Sequence, residues 1–164
     1  KKWIMEKINK ILILTIILFI SISCGEEESN NVDPVPEYTI WNGGVITFEK
    51  ADGADPNSSV NQDRITDKVW ITRGNSGGQI YNIAKENIYD KDTSPLGTQW
   101  AIGTLEEIDQ LSFDDFRATV GSPKDVVGKN LVLYLQEDNT YLSVKFTSWS
   151  SKNNGGFAYE RSTP

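Results

Sequence analysis

Apolar and polar residues alternate in two neighbouring runs, Asn130-Leu-Val-Leu-Tyr-Leu-Gln136 and Tyr141-Leu-Ser-Val-Lys-Phe-Thr-Ser-Trp149, with Asp138 and Asn139 between them. Successive side chains of a strand point to opposite faces of a sheet. The apolar side chains of each run therefore share one face: Leu131, Leu133 and Leu135 in the first, and Leu142, Val144 and Phe146 in the second. Because Asp and Asn favour tight turns, the pattern predicts an antiparallel β-hairpin with one apolar face.

Further strands are predicted on both sides of this hairpin. Downstream, the polar turn Ser150–Gly156 leads to Phe157–Arg161, which extends the hairpin to a three-stranded meander. Upstream, four short runs rich in β-branched and aromatic residues are bounded by turn-forming residues: Val45–Lys50, Val69–Arg73, Gln79–Ile83 and Thr98–Ile102.

One helical turn interrupts the β pattern. Ser112-Phe-Asp-Asp115 has the composition of a helix start, and Phe113, Phe116 and Val120 are spaced to share a helical face before Gly121. Several short strands, frequent turn signals and one short helix predict an all-β domain over residues 38–164. We expect an antiparallel β-sandwich or a partly open barrel, preceded by a signal peptide and a flexible tether.

Composition excludes several kinds of chemistry. The 164 residues contain no histidine and one cysteine, and the formal net charge is −7. Without histidine, neither a Ser-His-Asp triad nor a Cys-His pair is available, and the commonest zinc ligand sets are absent as well. The single cysteine rules out a disulfide within the chain. The acidic balance disfavours nucleic acid as a partner, because its phosphate backbone attracts basic surfaces.

The N-terminal segment has the composition of an export signal. An apolar run, Ile11–Ile20, follows four lysines, Lys1, Lys2, Lys7 and Lys10. A helix that continued through Ile22 would be about 18 Å long at ~1.5 Å per residue, well short of the ~30 Å hydrocarbon core of a bilayer. We therefore predict a cleaved signal peptide over residues 1–23, with Met5, the only methionine, as the natural start.

Ser21-Ile22-Ser23-Cys24 resembles the lipobox of bacterial lipoprotein signal peptides. The resemblance implies that the thiol of Cys24 is acylated and that Cys24 becomes the new N-terminus, so that the membrane is a partner through this lipid. Residues 24–37 are acidic and contain two prolines, which predicts an extended, flexible tether. The acidic run after Cys24 resembles the surface-export tag of Bacteroidetes lipoproteins; a solvated linker is the alternative. The expected location is the cell envelope, at the outer membrane and exposed on the surface.

Three stretches of the domain resemble an uncharacterised β-domain of secreted and surface proteins of Bacteroidetes. They are Gly74–Asn82, Pro123–Lys129 and Tyr141–Arg161, and the likeness extends over most of residues 40–163. It implies a β fold and a surface location, and it supplies no catalytic residue. Gly74-Asn-Ser-Gly-Gly78 also resembles the nucleophile loop of chymotrypsin-like proteases. Without histidine only a lysine or a carboxylate could act as the base, and no sequence signal places one there, so a turn between strands is expected.

Two groups of residues are candidates for ligand binding. Trp149 and Tyr141 fall on the polar face of their strand, opposite Phe146, where exposed rings could stack on sugar faces. Asp52, Asp55 and Asp63 lie in one predicted loop, and their carboxylates suit a structural calcium ion, the one cofactor considered. A second acidic loop contains Asp90 and Asp92.

Three functions follow as hypotheses. The first is a lipid-anchored binding module without catalytic residues, whose ligand is a glycan. The second is a structural component of an envelope assembly that binds an envelope protein and no small ligand. The third, a hydrolase with paired carboxylates from Glu106-Glu107 and Asp114-Asp115, requires that these acids face each other across a cleft.

Replacing the acylated thiol tests the predicted anchor. Cys24→Ser is expected to move the protein from the membrane fraction to the soluble fraction, because two or more acyl chains hold a protein stably on a bilayer. Fractionation and mass spectrometry of the mature N-terminus measure this. An unmodified Cys24 thiol in the wild-type protein would contradict the prediction.

Overall fold

The computed structural model describes residues 37–164, and residues Pro36–Pro164 form one compact unit. The predicted signal peptide, Cys24 and the predicted tether up to residue 36 lie outside the described residues. The described strands are β1 (Thr39–Trp41), β2 (Val45–Lys50), β3 (Asp63–Arg64), β4 (Trp70–Arg73), β5 (Ile80–Asn82), β6 (Thr98–Ile102), β7 (Asn130–Leu135), β8 (Thr140–Trp149) and β9 (Phe157–Ser162).

The larger sheet is organised around β8, its longest strand. Its order is β2-β9-β8-β7-β6, and all of these neighbours are antiparallel. Strand β7 pairs along one edge of β8, which confirms the predicted hairpin and places Leu133 opposite Leu142. The other edge is shared: β9 pairs from Val144 onward, and β1 pairs in parallel with Thr140–Leu142. This parallel pairing of β1 was not predicted from the sequence.

A smaller sheet, in the order β3-β4-β5, completes a sandwich around one apolar core. Ile71 and Ile80 of this sheet are fully buried in the same cluster as Leu133, Leu142 and Phe146 of the larger sheet. Burial of this apolar surface is the main favourable contribution to folding. The predicted all-β class is thus confirmed, as two packed sheets.

The helix begins later than the sequence predicts. Helix α1 is Phe116–Val120, and 3₁₀ helices cover Ser59–Asn61, Leu105–Gln110 and Pro123–Val126. Asp114 exchanges two backbone hydrogen bonds with Trp100, with N···O distances of 2.8 and 3.0 Å, so the backbone before the helix stays extended. Phe113 therefore packs on the outer face of the larger sheet, whereas Phe116 and Val120 are buried as predicted.

The two sheets are joined by a buried ion pair. Arg161 of β9 donates to both carboxylate oxygens of Asp63 in β3, from Nε at 2.7 Å and from Nη2 at 2.9 Å. The hydroxyl of Tyr159 donates to Asp63 Oδ2 at 2.7 Å. Burial, and then the charge of Asp63, raise the pKa of Tyr159 well above its usual value, so the phenol keeps its proton for this bond. Both carboxylate oxygens of Asp63 are thereby matched by donors of β9 across the sandwich.

Breaking this pair on one side is expected to be costly. Asp63→Asn leaves the guanidinium of Arg161 buried without a counter-charge, and we expect the free energy of unfolding to fall by about 3–5 kcal/mol. Urea denaturation measures the effect. Lys68→Met, which removes the exposed ion pair of Lys68 with Asp138, is the matched control and is expected to change stability far less. Equal losses in the two variants would contradict the prediction.

Candidate functional site

Four aromatic side chains form a cluster on the outer face of the larger sheet: Tyr38, Phe113, Tyr134 and Tyr141, here called the aromatic cluster. All four are partly exposed. The rings of Tyr134 and Tyr141 are stacked, with centroids 4.4 Å apart and an interplanar angle of 17°. Tyr38 and Phe113 make edge contacts with Tyr141, at centroid distances of 5.2 and 5.3 Å. Tyr141, one of the two predicted stacking residues, thus lies at the centre of an outward-facing group of rings.

The strand register explains why these rings meet. Tyr134 of β7 is directly opposite Tyr141 of β8, and both alternate with leucines that point into the core. Tyr38 is brought alongside by β1, which places Ile40 opposite Tyr141. Phe113 comes from the extended segment before α1. The sequence signal for Tyr134 and Tyr141 is their period of two, whereas Tyr38 and Phe113 are added by tertiary contacts.

The three tyrosine hydroxyl groups of the aromatic cluster differ in their hydrogen bonds. Tyr38 donates to Asp109 Oδ1 at 3.3 Å, and Tyr134 donates to Asn139 Oδ1 at 2.9 Å. The hydroxyl of Tyr141 makes no hydrogen bond with any residue from 37 to 164. Burial, and then the neighbouring Tyr134, Tyr38 and Asp109, raise the pKa of Tyr141. This hydroxyl therefore remains protonated at neutral pH and can both donate to and accept from a ligand.

An open cleft of about 420 Å³ lies farther along the same sheet. Its floor includes outward-facing residues of the three central strands: Asn130 of β7, Ser143 and Lys145 of β8, and Glu160 and Ser162 of β9. One wall is the loop Asn42–Val45, and the other is the segment Gly103–Glu106. These lining groups offer amide, hydroxyl, ammonium and carboxylate functions side by side.

The two charges on the cleft floor are neighbours across the sheet. Lys145 is opposite Glu160 of β9 and, on its other side, opposite Asn130 of β7. All three side chains are exposed. Sequence reasoning missed Asn130 and Glu160 as candidates, although both lie at outward positions of predicted strands.

Trp149 does not lie on the outer face that the alternation predicts. The register of β8 with β9 shifts between Phe146 and Ser148, so a β-bulge returns Trp149 to the core side. There its ring packs at 6.2 Å from both Phe116 and Phe157, and the guanidinium of Arg73 lies 4.2 Å from its centroid. Trp149 and Tyr141 therefore do not form a common stacking surface.

The predicted calcium site is not assembled. Asp63 is in a strand, and both of its oxygens are occupied by Arg161 and Tyr159. Asp52 accepts hydrogen bonds from Ser150 and Asn154, and Asp55 accepts from Asn57. Between residues 37 and 164, no group of three or more acidic or cysteine side chains is placed to hold a metal ion.

The second acidic loop is stabilised by its own backbone. Asp90 Oδ1 accepts from the backbone N–H groups of Asp92 and Thr93, at 2.8 and 3.1 Å. These two bonds, followed by the bond from the Thr93 hydroxyl, lower the pKa of Asp90. The arrangement is that of a carboxylate in a turn. Gly74–Gly78 also forms the expected turn, between β4 and β5.

The cleft does not contain both acidic pairs of the hydrolase hypothesis. Glu106 lines the cleft, whereas Asp114 and Asp115 do not. Hydrogen bonds from the Thr104 side chain and from its own backbone N–H lower the pKa of Glu106. A glycosidase needs the opposite shift in its general acid, which must carry a proton at neutral pH.

Comparisons with protein-family models, with curated proteins and with solved structures find no match for this chain. Within the described part of the chain, no helix is both long enough and apolar enough to cross a membrane.

Removing calcium is expected to leave the domain unchanged. A ligand that binds only the folded state raises the melting temperature, and the engagement of Asp63 with Arg161 removes one of the three carboxylates proposed for calcium. Melting curves with added calcium and with EDTA are expected to coincide. A calcium-dependent rise that disappears in Asp52→Asn would show that the loop binds the ion after all.

Proposed function

We propose that this protein is a non-catalytic binding module that is held at the cell envelope by a lipid on Cys24 and binds a glycan on the outer face of its larger sheet. Its location in this proposal is the outer membrane, facing the exterior. The position of Tyr141 is the observation that supports a glycan as the ligand. This residue places a partly exposed ring, and a hydroxyl that no residue from 37 to 164 engages, on the same sheet face as the cleft.

The chemistry of this face suits a carbohydrate. Sugars present C–H faces that pack on aromatic rings and hydroxyls that need both donors and acceptors. The aromatic cluster supplies the rings, while Asn130, Ser143 and Glu160 supply hydrogen-bonding groups in the cleft.

The spacing of the two features favours a chain of several sugars. Tyr141 and Lys145 point to the same side of β8 and are four residues apart, about 13 Å at ~3.3 Å per residue. A ligand that contacts both must be longer than one monosaccharide. An oligosaccharide lying along β8 could pack on the ring of Tyr141 and reach Glu160 across the strand.

The anchor and the charge of the domain support a surface location. The chain carries a net charge of −7, and anionic lipid headgroups repel an acidic domain. The domain would therefore stand away from the bilayer, at the end of the tether, with its outer face accessible. The proposed function is retention of a ligand without turnover, consistent with the lowered pKa of Glu106.

One observation favours the structural alternative. Strand β2 forms an edge of the larger sheet, and the outer part of this strand exposes two apolar side chains, Val45 at 65% and Ile46 at 41%. An unpaired edge with exposed apolar groups can accept a strand from another protein. An envelope protein is the corresponding partner.

Binding assays distinguish the two functions. A glycan array with the Pro36–Pro164 unit, followed by calorimetry on any oligosaccharide it identifies, is expected to detect binding that Tyr141→Ala weakens by about tenfold, since an aromatic contact contributes up to ~1.5 kcal/mol beyond its buried area. Tyr141→Phe keeps the ring and removes only the hydroxyl. Trp70→Phe is the matched control, because Trp70 is a half-buried aromatic residue of the smaller sheet, in contact with Arg64.

The possible outcomes lead to different conclusions. Weaker binding in Tyr141→Ala with normal binding in Trp70→Phe supports the outer face as the glycan site. Equal effects of both variants would place the site elsewhere. The absence of binding to any glycan, together with a copurifying envelope protein whose capture is lost in Ile46→Lys, would support the structural alternative.

A further inference from the structure

Two buried cations lie between the sheets at the end of the sandwich where β2 and β4 terminate. Lys50, the last residue of β2, is 1% exposed, and Arg73, the last residue of β4, is 2% exposed. Neither forms an ion pair with a carboxylate of the described residues, whose ion pairs are Lys68–Asp138, Lys85–Glu137 and Arg161–Asp63. A buried charge without a counter-charge is costly. The chemistry of the two side chains shows how this cost can be avoided.

Arg73 keeps its charge and is stabilised by dipoles. Its Nη1 donates to the carbonyls of Gly156 and Ser150 at 2.8 and 3.1 Å, and its Nε donates to that of Gly78 at 3.2 Å. Guanidinium does not lose its proton in proteins. Lys50 is different, because an amine can become neutral. Burial, and then the charge of Arg73, lower the pKa of Lys50, against the smaller opposing effects of Asp52 and Asp55.

The amine of Lys50 lies beside a carboxamide. Its Nζ is 2.9 Å from Oδ1 of Asn75 and 3.2 Å from the carbonyl oxygen of Gly155. Asn75 lies two residues after the end of β4, and its Nδ2 donates to the carbonyl of Ala54 at 2.9 Å. The carboxamide thus accepts a hydrogen bond from Lys50 at its oxygen and donates one to Ala54 from its nitrogen, which is directed away from Lys50.

The backbone around this contact leaves no space for other side chains. A Cβ atom added to Gly155 would lie 2.2 Å from Oδ1 of Asn75 and 2.7 Å from the carbonyl oxygen of Gly74. Gly155 also has a φ of 73°, a left-handed conformation that favours glycine. The chain therefore packs its backbone directly against the contact between Lys50 and Asn75.

We propose that Lys50 and Asn75 join to form an intramolecular isopeptide bond. The ammonium of Lys50 first releases one proton, and the resulting amine attacks Cγ of Asn75, so a bond forms between Nζ and Cγ while the bond between Cγ and Nδ2 breaks. A proton passes from Nζ to Nδ2, and the leaving group is ammonia. One amine and one primary amide thus give one secondary amide and ammonia, and no oxidant, reductant or added reactant is needed.

The product fits the surroundings better than the reactants do. The new amide carries no charge, which removes the cost of burying an ammonium next to Arg73. Its Nζ keeps one hydrogen, which can still donate to the carbonyl of Gly155, and its oxygen is the former Oδ1. Asn75 is only half-buried, so ammonia can leave toward solvent on the side of Ala54.

The bond would connect the two sheets covalently. Lys50 ends a strand of the larger sheet, and Asn75 follows a strand of the smaller sheet. A link between them restricts the unfolded chain in the way a disulfide does, and this chain cannot form a disulfide of its own. The inference does not depend on the proposed function, because the link would form whether or not a glycan binds.

Peptide mapping of the full chain tests the proposal directly. Trypsin cleaves after lysine only when its amine is free, so an unlinked protein releases Ala51–Arg64 and Gly74–Lys85 as separate peptides. The linked protein is expected to lack both. It should instead yield Gly74–Lys85 joined to a peptide that contains Lys50 and ends at Arg64. The mass of this linked product is expected to be lower than the summed masses of its two component peptides by the mass of one ammonia. Fragmentation by mass spectrometry locates the bond.

Internal and variant controls make the result specific. Lys145 also faces an asparagine, Asn130, but is exposed, so normal cleavage after Lys145 is expected in the same digest. In Asn75→Ala, the peptide from 74 to 85 should be released free. Finding both wild-type peptides free, with cleavage after Lys50 as complete as after Lys145, would overturn the proposal even if no variant folds. Loss of ammonia without a linked peptide would also overturn it, since Asn154-Gly155 can lose ammonia by cyclising.

Discussion

The pairing of Asp63 with Arg161 is the constraint on which the sandwich depends, because in the described structure it is a buried ion pair between a strand of one sheet and a strand of the other. Strand β3 consists of only two residues, and apolar burial alone would hold it weakly. The carboxylate of Asp63 satisfies two donors of Arg161 and the hydroxyl of Tyr159, so a displacement of β3 would leave three buried polar groups unmatched. The smaller sheet is thereby fixed in one position over the core.

Polar contacts hold the far end of the sandwich as well, but they use backbone carbonyls instead of carboxylates. Arg73 and Lys50 donate to carbonyl oxygens of the glycine-containing turns, and the ring of Trp149 covers Arg73. Stability is thus concentrated between the sheets. The outer face of the larger sheet carries the aromatic cluster and the cleft, apart from these contacts.

Much of the fold could be predicted because β-strands show local periodicity. The runs Asn130–Gln136 and Phe157–Arg161 correspond to β7 and β9 within one residue, since alternation and turn residues are properties of neighbours in the chain. The outward position of Tyr141 followed from the same alternation. The rule failed at Trp149, where a single bulge reversed the alternation, and at Ser112, where pairing of Asp114 with Trp100 outweighed a local helix signal.

The sequence by itself determined the all-β class, the central hairpin and the exclusion of histidine-dependent chemistry, because each follows from composition or from residues close together in the chain. Only the tertiary structure decided that Asp63 pairs with Arg161 and that Lys50 meets Asn75. These partners are separated by 98 and 25 residues, and their meeting depends on how two sheets pack. Charges and amides carry no local periodicity, so their partners are set by the packing of the apolar core around them.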